Sequence, residues 1–177
     1  MPTFDPTQYG VAIAELLQKP RLAELGPGSP NRALQSALER LTPAALLAPA
    51  AVRDADMAGC CLAGVWLYHD FLGESHRICQ DIGTPTGSYW HALMHRREPD
   101  AGNSKYWWRH VGKHPVFAQL GDAAARLGWR TWDPDVFVDE CENERGTGST
   151  REQLLREVQL LEWEQLFAWC YRQAVDP

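Results

Sequence analysis

Hydrophobic positions recur at helical spacing along most of the chain. Over residues 58–80, Leu62, Val65, His69, Leu72, His76 and Cys79 form a 3-4-3-4-3 stripe, with Trp66, Asp70, Gly73, Glu74 and Arg77 on the other side. At about 100° per residue this is one apolar arc of a single helix, with His69 and His76 inside it near the edge. Tyr89, Trp90, Leu93 and Met94 make the arc of a following helix, from a Ser88 cap to Arg97, and Asn103 caps another that ends before Gly112. Pro115 opens a helix closed by Gly128, and a long helix runs over residues 150–174 behind the Gly146-Thr147-Gly148 loop.

Helix starts are also written as a capping oxygen before a proline at the first helical position: Asp5-Pro6, Ser29-Pro30, Thr42-Pro43 and Asp133-Pro134. Strand-like pieces are confined to residues 129–132 and 136–138, too short to build a sheet. The pattern predicts an all-α, single-domain helical bundle of seven to nine helices. Its Ala- and Pro-rich first 50 residues are expected to pack on a core of residues 54–174.

A chain of 177 residues can bury a core without staples. The longest apolar stretch, residues 44–68, is interrupted by Arg53, Asp54 and Asp56 and is not a membrane span. The first nine residues lack the basic start and apolar run of a secretory signal. Five cysteines without Cys-x-x-Cys spacing read as free thiols in a cytoplasmic protein. A net charge of −6 argues against nucleic acid or a membrane surface as partner and leaves homo-oligomerisation open.

Candidate chemistry is concentrated. All six histidines lie within residues 69–114. His91, His95 and Glu98 stand at i, i+4 and i+7, which lets two imidazoles and a carboxylate converge on one divalent ion such as zinc, iron or manganese. His69 or His76 on the neighbouring helix could complete the set, and these two with His114 are the candidate catalytic histidines. Residues 95–114 carry +3 while the remainder carries −9. Within that segment Arg96, Arg97, Lys105 and Arg109, beside Tyr106, Trp107 and Trp108, are the candidate contacts for a small anionic molecule. Arg97 projects into the apolar arc and calls for a buried partner. Glu162, flanked by Leu155, Val158, Leu166 and Trp169, is expected to point inward toward the histidine helices.

Two stretches, Trp66-Leu-Tyr-His-Asp-Phe-Leu-Gly-Glu-Ser-His76 and the region from Gly87 through His91-Ala-Leu-Met-His-Arg-Arg-Glu98 to Phe117, resemble a family of uncharacterised bacterial and fungal proteins with a similar His-Arg-Arg-Glu segment. The resemblance covers about a third of the chain and implies no activity, cofactor or site. From the residues themselves, the leading expectation is a metal-assisted enzyme acting on a phosphate- or carboxylate-bearing substrate. The alternatives are a non-catalytic ligand- or partner-binding protein using the same cluster, and a metal-free HEPN-like ribonuclease through the Arg109-x4-His114 pattern.

Overall fold

Capping chemistry sets the starts of the helices that build the bundle. Side-chain oxygens of Thr42, Asp54, Thr84, Asp100, Asp133 and Ser149 each accept a backbone N–H three residues on, at 2.9–3.2 Å. The computed structural model describes residues 4–130 and 132–176. The α-helices are α1 (Val11–Leu16), α2 (Gln35–Leu38), α3 (Pro43–Leu47), α4 (Ala55–Tyr68), α5 (Leu72–Cys79), α6 (Pro85–Arg97), α7 (Ala101–Val111), α8 (Val116–Leu127), α9 (Pro134–Glu144) and α10 (Thr150–Val175). Single 3₁₀ turns at Pro6–Tyr9 and Arg32–Leu34 supplement them. No strand occurs among the described residues: 136–138 lie inside α9, and residues 129, 130 and 132 are irregular. Thr131 of that expected strand lies outside the described residues.

Ser29-Pro30 opens no helix, since the nearest turn, Arg32–Leu34, starts behind Asn31, and three further boundaries differ from the periodic reading. Helix α6 begins at Thr84-Pro85, a cap-plus-proline start like the others, and not at Ser88. Helix α7 is capped by Asp100 rather than Asn103. The predicted helix over residues 58–80 is two helices, α4 and α5, broken at His69-Asp70-Phe71. There Asp70 takes a positive φ of 62°, which ends the helical ladder and re-aims the chain. This split raises the α-helix count to ten among the described residues.

The break is held by charge. Asp70 is buried, and its carboxylate accepts hydrogen bonds from Arg21 Nη2 at 2.5 Å and Arg97 Nη2 at 2.6 Å. Arg97 also donates from Nε to the Gly26 carbonyl at 2.6 Å, tying the N-terminal segment to α6. Gly28, at φ 69°, passes so close to Asp70 that a Cβ there would lie 2.8 Å from the carboxylate; only glycine fits.

Helices α4 and α6 form the centre, with every residue from Met57 to Tyr68 and from Thr86 to Arg97 buried. Gly64 lets them approach, since a Cβ there would sit 2.7 Å from the Trp90 ring. Helix α6 packs on α4, α5 and α7, and α10 closes over α4, α8 and α9. Ile13, Leu16, Leu38, Leu46 and Leu47 of the N-terminal helices join the same core. No helix of the described residues is long and apolar enough to cross a membrane.

Removing one side of a buried ion pair strands the other charge, at a cost of about 3–5 kcal/mol. Asp70→Ala, which leaves Arg97 buried without its acid, is therefore expected to lower unfolding free energy by about that amount in urea titrations with an unchanged m-value. A loss below about 1 kcal/mol would place the network with ordinary surface bridges.

Candidate metal centre

His91 and His95, one turn apart on α6, stack with ring centroids 4.8 Å apart and planes at 16°. Because the chain turns at Asp70, α5 lies against α6 and brings His76 to this pair, its ring 4.7 Å from His91 and 5.0 Å from His95. The ligating nitrogens of all three lie within 4.8 Å of one another. Ligands at about 2.1 Å from one tetrahedral ion are about 3.4 Å apart. A side-chain adjustment of about an ångström closes that difference, so the group could hold a metal ion.

The surroundings keep these nitrogens available. On α7, Trp107 stacks on His91 at 3.9 Å and 21°. His91 is only 3% exposed, and neither of its ring nitrogens finds a protein partner among the described residues. Such unpartnered buried nitrogens are costly and mark a place where a ligand would satisfy them. Burial, reinforced by the neighbouring His95 and His76, pushes the His91 pKa down to about 3. Burial also lowers that of His95, opposed by Glu98. Both imidazoles are neutral at pH 7 and can ligate without first losing a proton.

Glu98, at the C-cap of α6 and partly exposed, places Oε2 3.3 Å from His95 Nδ1. Glu98 acts on His95 mainly through its charge, since Nδ1 makes no hydrogen bond among the described residues. Glu98 is thus a neighbour of the three-histidine group rather than a member of it.

The remaining expected site residues lie elsewhere. His69 is buried at the end of α4 with Nδ1 3.3 Å from Asn31 Nδ2, and burial lowers its pKa to about 4. His114 is buried between Thr86, whose hydroxyl is 3.2 Å from Nε2, and the Val116 N–H, which donates to Nδ1 at 3.3 Å. Its pKa is also lowered by burial to about 4. Arg96 donates to Glu162 at 2.6 Å, both fully buried, and lies over the Phe137 ring at 4.7 Å. Arg97 is spent on Asp70, and Lys105 pairs with Asp139 at 2.6 Å. Arg109 is exposed over Tyr106. The four cations therefore do not converge on one anion at the histidines.

Sequence reasoning missed Trp107 as a wall of the centre and Asp70 as the partner of Arg97. Asp70 gave no signal in the chain, because it lies on the polar side of its stripe, where a carboxylate is expected. No protein family, curated protein or solved structure matches this chain.

The depressed histidines predict acid lability. In the unfolded chain His69, His91 and His114 take up protons near their ordinary pKa of 6.5, whereas the folded protein resists until about pH 3–4. Their contribution is complete above about pH 7 and is lost as pH falls, by up to about 1.4 kcal/mol per pH unit for each group. Urea midpoints measured in chelator should drop between pH 7 and 5, and His91→Gln should flatten the slope by about a third. A midpoint constant across that window would rule out neutral buried imidazoles.

Proposed function

We propose that the protein binds a divalent transition metal through His76, His91 and His95 and acts as a metal-assisted enzyme on a small anionic substrate. The observation that carries this reading is three imidazoles from two helices within reach of one ion, with both nitrogens of His91 buried and unpartnered. An all-imidazole donor set suits zinc or iron better than manganese or magnesium, which prefer oxygen ligands. Three protein ligands, with no fourth in the group among the described residues, match the open coordination of catalytic sites rather than the closed sets of structural ones. Bound there, the ion would lower the pKa of a water molecule and polarise a phosphoryl or carboxyl oxygen.

Glu98, partly exposed and 3.3 Å from the centre's His95, is the proposed proton acceptor and positioning carboxylate. The ion's own charge would supply most of the attraction for an anion. Arg109, exposed over Tyr106 on the neighbouring helix, extends that positive rim. Five free, buried thiols are in keeping with a reducing, cytoplasmic setting. The ribonuclease alternative draws no support from His114, whose two nitrogens are already engaged.

Untagged protein is expected to carry close to one equivalent of zinc or iron by elemental analysis. His76→Ala, His91→Ala and His95→Ala should each reduce it severely while leaving the helical circular dichroism intact. Full occupancy in all three variants would dismiss the centre.

Glu98→Gln should retain the metal but weaken affinity or turnover by about 10–100-fold. The assay is chelator-sensitive hydrolysis across a panel of small phosphate and carboxylate esters. A metal-loaded protein inert toward the whole panel would reduce the reading to metal binding alone.

A further inference from the structure

Away from the histidines, the N-terminal segment and α10 leave a cavity of about 130 Å³ between them, lined by Phe4, Leu17, Tyr68, Leu160 and Trp163. Past Phe4 and Glu164 it continues into a wider groove of about 530 Å³ beside Tyr9. That is room for a ligand of a few heavy atoms, with apolar walls for its carbon chain.

Glu164 lines both spaces. Burial pushes its pKa up to about 7, and no cation or hydrogen-bond donor of the described residues opposes that shift. Its oxygens are not among the sealed side-chain atoms, so they open to the groove. Asp5, the other acid there, is already committed to Thr7 and Gln8. Among the described residues, Arg172 is the one cation lining either space. It is exposed and stands eight residues beyond Glu164, about 12 Å along the helix. Tyr9 and Tyr68 also feel the Glu164 charge, and both stay neutral because burial raises their pKa. A carboxylate thus stands without a counter-charge beside an apolar cavity, an arrangement that a cationic ligand would relieve.

We propose that this groove binds a small primary alkylammonium ion, its N–H groups on the Glu164 carboxylate and its chain against Phe4, Leu160 and Trp163. A metal cation is a poor fit, because one carboxylate among apolar walls offers too few oxygen ligands. None of the histidines takes part, so the proposal stands apart from the metal centre.

Butylammonium chloride is the probe, followed in ¹⁵N–¹H spectra of the intact protein. Saturable shifts are expected at the Trp163 indole and the backbone amides of residues 160–168, and none with 1-butanol or sodium chloride at equal concentration. The probe keeps its charge between about pH 6 and pH 8, as a lysine does. Glu164 is ionised at the upper end and mostly protonated at the lower, so affinity should fall by about tenfold as pH drops across that window. Glu164→Gln, at a partly exposed position, is expected to weaken binding by at least about tenfold and to remove the pH dependence. Should that variant fold poorly, the carboxyl carbon signal of the native Glu164 decides, since saturation with the probe should lower its pKa. Equal shifts with 1-butanol, unchanged affinity in Glu164→Gln, or a Glu164 titration indifferent to the probe overturns the proposal.

Discussion

The carboxylate of Asp70 is clasped by Arg21 from the N-terminal segment and Arg97 from α6, at 2.5 and 2.6 Å. A carboxylate this deep is tolerated only with such partners, and the partners hold the chain in a left-handed turn that a continuous helix would not permit. The geometry of α5 follows from that turn. Without it, His76 would continue along the α4 axis, two turns beyond His69, instead of standing beside His91 and His95. The same contact fastens the loop at Gly26-Pro27-Gly28 to the core, so the N-terminal helices and the histidine group depend on one anion.

Helix α6 is the second constraint. Buried along residues 86–97, it nevertheless carries two histidines and two arginines in its final turns. Each polar group inside a bundle needs a partner, and α6 distributes them by face: imidazoles toward α5 and α7, guanidiniums toward α10 and the N-terminal segment. The Arg96–Glu162 pair contributes less to net stability than an apolar pair of similar volume could, since desolvating two charges offsets most of their attraction. Its effect is on orientation. A register shift of α10 against α6 would strand both charges, so the pair selects one packing among several that hydrophobic contact alone would allow. Burial pushes the Glu162 carboxyl up, and the Arg96 charge beside it works in the opposite direction.

The enclosure that makes these ion pairs expensive also shapes the histidine chemistry. Low polarity disfavours imidazolium, and the closeness of three rings adds to the effect at His91. Clustered nitrogen donors, two of which burial holds toward the neutral form, are suited to a cation.

Much of this was legible in the linear order of residues, because helices are local objects. Caps at Thr42 and Asp133, apolar spacing in α6–α8 and α10, and the i, i+4 placement of His91 and His95 depend only on near neighbours in the chain. The all-α architecture and the face shared by those two histidines follow directly. Glu162 could likewise be marked as inward-pointing from its apolar flanks. Periodicity could not reveal the break at Asp70, since the 3-4 stripe runs through it without interruption. The turn is enforced by Arg21 and Arg97, 49 and 27 residues away. For the same reason the sequence grouped Arg96, Arg97, Lys105 and Arg109 by proximity in the chain, while tertiary pairing dispersed them onto Glu162, Asp70, Asp139 and the Tyr106 ring. Local patterns determine which residues form helices and which faces are apolar. Long-range charge compensation in a dry interior decides where those helices stop and which histidines meet.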